Sequence, residues 1–217
     1  MSKLYKYLAI ALLCTVIGFF AGLFFIPVEW IAIANTILMV FMVCLLIFTL
    51  IMKLVKKRSR GPIRFPIFWV YLFAFVEGAL LYPALLYYLA SLGVILFAEI
   101  VIGTMLIFAV LAYIGQKNES GSFVGLGKIL AVVLTIMVLV SIVNLFLQID
   151  MVSMIISAVG ILVFSAYILV DINRFKTAYE AGYIQDSEDY SIHVLNVYLD
   201  IINLLLDILD FVNRIRN

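Results

Sequence analysis

Histidine occurs once in this chain and cysteine twice, and only 12% of its 217 residues are charged. Each shortage removes a class of function. A lone imidazole, His193, with no HExxH pair leaves an intramembrane metalloprotease without ligands. Nothing in the sequence pairs with His193, so it reads as an interfacial residue rather than a catalytic one. Cys14 and Cys44 lie inside apolar runs with no second ligand at metal spacing, which predicts packing rather than a disulfide or a metal site. The last apolar segment holds no lysine, so a retinal-type Schiff base has no amine to form on. A net charge of +1 gives no electrostatic case for nucleic acid. No enzymatic constellation remains, and no resident cofactor is expected.

Apolar sequence is what the chain has instead, at 67% of residues. A soluble surface needs about 25% charge, so the expected partner is a lipid bilayer. A hydrocarbon core about 30 Å thick takes about 20 apolar residues per helix. Seven segments meet that need: Tyr5–Ile26, Trp30–Leu54, Pro66–Leu89, Val94–Gly115, Val124–Ile149, Val152–Asp171 and His193–Val212. The opening "MSKLYKYLAIALLCTVIGFF" has the basic head of a signal peptide, but its apolar run continues to Ile26 without a cleavage site, which predicts a retained span. The links are too short for a second domain, so residues 1–217 read as a single transmembrane domain. Twelve of the fourteen Lys and Arg residues fall on one side of this topology, and Arg214 and Arg216 fall on the other. Positive loops stay inside. The N-terminus is therefore expected in the cytoplasm and the C-terminus outside.

The last segment, "YLDIINLLLDILDFVNRIRN", is unlike the rest. At about 100° per residue, Asn196, Asp200, Asn203, Asp207, Asp210 and Arg214 fall within an arc of about 80°. The stripe runs about 27 Å along the axis, nearly a full membrane thickness. A surface-lying amphipathic helix carries Lys and Arg on its polar face; this one carries acids. Glu77, Glu99 and Asp171 add further carboxylates at expected membrane depth, with no Lys or Arg well inside a segment to neutralise them. Intramembrane acids are expensive and functional by default. The stripe of Asn203, Asp207 and Asp210, with Glu77 and Glu99, is therefore the expected ion path, and protons or metal cations are the expected working species. Asp171 and Asp200 are expected at similar depth on adjacent helices. Close carboxylates cannot both ionise cheaply, so they share a proton and titrate as a pair, a pH sensor without histidine.

"AYILVDINRF" followed by "LNVYLDIINLLLDIL" resembles the paired sixth- and seventh-helix motifs of the Bax inhibitor-1 family. "VYLFAFVEGALLYPALLYY" and "GTMLIFAVLAYIG" are similar to its third and fourth helices, so the resemblance runs roughly from Arg60 to Phe211. It implies an all-α membrane fold of seven helices, six around a central last one. It further implies a calcium leak that responds to pH through an aspartate pair, here Asp171 and Asp200. Bacterial members also hold an arginine after the second helix that engages the first aspartate. Arg60 takes that place by count back from Tyr71, with Arg58 and Arg64 as alternatives because "RGPIRFP" departs from the family pattern. Calcium, which takes oxygen ligands, is then the permeant ion, transiently held by Asp171, Asp200 and Asp207. The chain lacks the long polar N-terminal extension of many eukaryotic members, which favours a bacterial-type plasma-membrane protein. A proton-coupled cation transporter and a non-conducting membrane scaffold are the alternatives from other classes.

Overall fold

The computed structural model describes residues 1–30, 33, 36 and 64–216. Six long helices fill them: α1 (Ser2–Phe25), α2 (Ile67–Leu92), α3 (Val94–Lys117), α4 (Val124–Leu147), α5 (Asp150–Glu180) and α6 (Ser187–Arg216), with a 3-10 turn at Val28–Trp30. All six are long and apolar enough to cross a membrane, and no strand occurs among the described residues. Helices suit such a chain because they satisfy every backbone donor and acceptor within the segment. The second expected segment, Trp30–Leu54, falls outside the described residues apart from Trp30, Ile33 and Thr36, and Cys44, Arg58 and Arg60 lie outside them too.

Two helices exceed their expected limits. α5 runs nine residues past Asp171 to Glu180, and α6 begins six residues before His193. The added turns are polar, and a helix leaving the bilayer needs no apolar face to keep its ladder. Gly182, at φ 75°, ends the first extension in a conformation that side-chain-bearing residues avoid. The acids Glu188 and Asp189 in the first turn of α6 favour its positive N-terminal end.

The described chain divides into two compact units. One comprises residues 2–87 and 186–192. Within it α1 and α2 run parallel: Gly18 lies against the Phe75 carbonyl, Gly22 against that of Ala79, and the Tyr82 hydroxyl donates to the Ile26 carbonyl at 3.0 Å. Gly18 and Gly22 are spaced as GxxxG, the pattern that lets two membrane helices touch backbone to backbone. A Cβ at Gly18 would stand 2.0 Å from the Phe75 oxygen. The starting ends of three helices meet at one end of this unit. Arg64, just before α2, grips Asp189 through both carboxylate oxygens (2.7 and 3.1 Å) and reaches Asp186 at 3.3 Å. Tyr7 of α1 meets Tyr190 edge-on, with centroids 5.3 Å apart.

The other unit comprises residues 88–185 and 193–217. There α5 packs against α3 and α4. Gly115 of α3 admits the Leu169 carbonyl of α5, and Leu130, Val163 and Val170 form a core between α4 and α5. The fully buried Asn173 fastens the α3–α4 loop, donating to the carbonyls of Gly115 and Glu119 and accepting from Gly121 N–H. α6 lies antiparallel to α5. Asp210 meets Ser157, Asp207 meets Gly160, and His193 meets Phe175, so each step forward on α6 matches a step back on α5. No residue of α6 from Asp189 to Arg214 is exposed.

Candidate functional site

The antiparallel register of α5 and α6 turns the polar arc of α6 into a seam. At one end stand Asp171 on α5 and Asp200 on α6, only 5% and 6% exposed. Arg174, one turn beyond Asp171, donates from Nη1 to Asp171 Oδ1 at 2.9 Å. Its guanidinium passes over Gly127 of α4, where a Cβ would come within 2.3 Å of Nη2. Asp171 and Arg174 are also the charged groups that act on Asp200, and Tyr167 lies in the field of all three. Among the described residues Arg174 is the cation beside these two buried carboxylates, which interact with one another, so the protonation of one bears on the other. That is the chemistry this end can perform.

The other end is sealed differently. Asp210 accepts hydrogen bonds from the Tyr88 hydroxyl at 3.2 Å, from the Ser157 hydroxyl, and from Arg214 Nε at 2.8 Å. Arg214 also reaches Asp150, the first residue of α5, at 2.9 Å. Between the two ends, Asp207 rests on Gly160: a Cβ there would lie 2.0 Å from Asp207 Oδ2. The missing side chain of Gly160 is the space the carboxylate occupies. Among the described residues of this unit, Asp200 Oδ2 and Asp207 Oδ2 are the buried side-chain atoms without a hydrogen-bond partner.

The structure redistributes the expected site residues. Asp171, Asp200, Asp207 and Asp210 share the seam. Asn203 turns back on its own helix, donating to the Leu199 carbonyl at 2.8 Å. Glu77 is fully buried, but on α2 in the other unit. Glu99 departs from expectation: it is exposed, about 7 Å from the start of α3, and does not line the seam. A calcium ion held jointly by Asp171, Asp200 and Asp207 is not formed either. No group of three or more acidic, histidine or cysteine side chains converges to hold a metal among the described residues. The reason is axial: seven residues separate Asp200 from Asp207, about 10 Å of helix. Arg64, an alternative latch for Asp171, is engaged with Asp186 and Asp189 instead. No Lys or Arg is expected well inside a segment, and the two arginines that reach the seam, Arg174 and Arg214, stand just beyond the segment ends. Their spacings, i+3 from Asp171 and i+4 from Asp210, were the available signal. Ser157, Gly127 and Gly160 carried no signal, since their role comes from a neighbouring helix. His193 stacks edge-on against Phe175, with centroids 5.3 Å apart.

Several bacterial proteins are similar in sequence. An uncharacterized protein of Campylobacter jejuni is 30% identical over 206 residues, covering 94% of this chain and 86% of that protein. An uncharacterized protein of Rickettsia prowazekii is 28% identical over 221 residues, covering 100% of this chain and 90% of its own. An uncharacterized membrane protein of Streptococcus pyogenes is 28% identical over 163 residues, covering 72% of this chain and 66% of its own. With its long apolar helices, the chain is a multi-pass membrane protein. The family described as inhibitor of apoptosis-promoting Bax1 matches residues 1–217, the whole length, and the chain belongs to that family.

Proposed function

We propose that this protein is a pH-sensitive calcium leak of the bacterial plasma membrane, gated at Asp171 and Asp200. One observation supports the reading: two carboxylates, each more than nine-tenths buried, lie in one another's field, with Arg174 bound to the first of them. Such a cluster changes its net charge with one proton, and a closed state held by charge changes with it. Ionised Asp171 holds Arg174, and Arg60 is the further latch that the family resemblance supplies. Protonation of Asp171 removes the anion and loosens the latch, so acid opens. The stripe from Asn203 to Asp210 then conducts toward the outer side.

The full architecture in this proposal has seven spans, six of them around the last helix. Parallel α1 and α2 support it, because a chain that crosses twice in one direction must cross back in between. The clustered starts of α1, α2 and α6 support a common side for them, and the excess of Lys and Arg there makes that side cytoplasmic. The reading assigns no catalysis. Reconstituted calcium flux measured against pH tests it: flux should rise as pH falls and persist with no proton gradient. Flux that requires a proton gradient would make the same carboxylates a transporter relay. No flux at any pH would leave a membrane scaffold.

A further inference from the structure

Both ends of the α5–α6 seam hold an arginine bound to a carboxylate, and between them lies Asp207, whose Oδ2 has no hydrogen-bond partner among the described residues. The inner arginine belongs to the gate already described. From the outer one we infer that Arg214 is an internal plug: a tethered cation that occupies the outer mouth of the seam and shields Asp207 from external cations. The inference rests on the leak reading for its physiological meaning, but the plug is a statement about access and is tested as one.

The geometry fixes Arg214 in that role. Nε binds Asp210 at 2.8 Å and Nη1 binds Asp150 at 2.9 Å, so the guanidinium bridges α6 to the first residue of α5. The flanking positions are tied down as well. Asn213 accepts from the Ser91 hydroxyl, and Arg216 donates to the Leu92 carbonyl at 2.6 Å. The last turn of α6 is therefore held at a set height. Asp210 has its other contacts with Tyr88 and Ser157, which leaves the arginine as the cation of this cluster among the described residues. Asp207 lies one turn further in, with Oδ2 buried over Gly160. A cation entering from this end meets Arg214 before it meets Asp207, and the two compete for Asp210. Asp150 is 96% exposed, so the outer half of the bridge is in solvent and breaks without loss of a buried contact.

The test places a cysteine at Asp207 in a chain whose Cys14 and Cys44 are replaced by alanine, and follows its modification by an impermeant cationic methanethiosulfonate added from outside. Adding Arg214→Gln should speed modification by about tenfold, the effect of losing one charge-assisted contact. Arg214→Lys should fall between the two. Asp150→Asn, a surface change with no burden on folding, should act in the same direction with a smaller effect. Equal rates in all four proteins, with parental elution and helix content, overturn the plug. Calcium flux in matched vesicles, with the same Arg214 and Asp150 substitutions and Asp207 intact, separates the two readings. Acceleration at position 207 with no flux in any variant keeps the plug and removes the leak. Flux that neither Arg214→Gln nor Asp150→Asn increases, without acceleration, keeps the leak and removes the plug.

Discussion

Replacing Arg174 by glutamine isolates the inner charge cluster from the rest of the fold. Arg174 Nη1 stands 2.9 Å from Asp171 Oδ1, a side chain 43% exposed against one 7% exposed. At that separation and an effective dielectric constant of about 20, the raw attraction is roughly 6 kcal/mol. Solvent screening of the arginine and desolvation of the carboxylate remove most of this, leaving about 1–2 kcal/mol. If that energy holds the closed state, its loss shifts the closed–open balance by roughly 5–30-fold. Glutamine ends near the position of Nε, so the contacts of the guanidinium with Asp171 and Gly127 are lost together with its charge. In liposomes loaded with a calcium dye, the neutral-pH leak should rise by about that factor. The acid leak should barely change, because acid already separates Asp171 from its arginine. Lys176→Gln, one turn away and paired with Glu180 at 3.7 Å, should leave both rates at the parental value. An unchanged neutral leak in a folded Arg174→Gln protein would show that this ion pair is surface decoration and that the gate lies elsewhere.

Asp171→Asn should raise the neutral leak and flatten its pH dependence, whereas Asp200→Asn should shift the pH midpoint and keep the latch; parental flux–pH curves in both would make the pair structural. Gly18→Ala puts a Cβ 2.0 Å from the Phe75 carbonyl oxygen and forces α1 from α2. It should lower stability in detergent by about 1–3 kcal/mol by thermal unfolding. Gly103→Ala, whose Cβ meets nothing within 4 Å, is the matched control and should change little. Cysteines at Ser2 and Asn217 should react with an impermeant thiol reagent from opposite faces of the membrane. Labelling of both from one face would contradict an odd number of spans.

How far the sequence could be read depended on whether a helix carries an azimuthal signal. α6 does: its polar arc is narrow, and Asp200, Asp207, Asp210 and Arg214 meet α5 where the arc predicts one shared face. α3 does not. It is apolar on every side, so nothing in the run around Glu99 says which way that carboxylate turns. Depth in an apolar run was legible there; facing was not. The extensions of α5 and α6 beyond the membrane were missed for a related reason, since apolar length measures lipid contact and not helix length. Gly127 and Gly160 were illegible because a glycine inside a helix normally reads as a weak point. Here each gives the room that a charged side chain of the next helix fills, Arg174 in one case and Asp207 in the other.

The energetics of the seam decide why those charges are there. A buried donor or acceptor left unsatisfied costs about 1–3 kcal/mol, and more when charged. Asp210 avoids the penalty with three donors, and Asp189 with Arg64 and the Asp186 N–H. Both behave as structural residues should. Asp200 and Asp207 do not, since each keeps a buried oxygen without a hydrogen-bond partner among the described residues. A stability argument would replace them by leucine, as at Leu204 and Leu209 of the same helix, which are fully buried. In a fold stable by only about 5–15 kcal/mol, two such penalties are a large fraction of the total. Locally unfavourable groups held in place by well-satisfied neighbours are the mark of a working site. On the proposed leak, the group that relieves Asp200 and Asp207 is one that comes and goes: a proton at the inner position, and a cation or water at the outer.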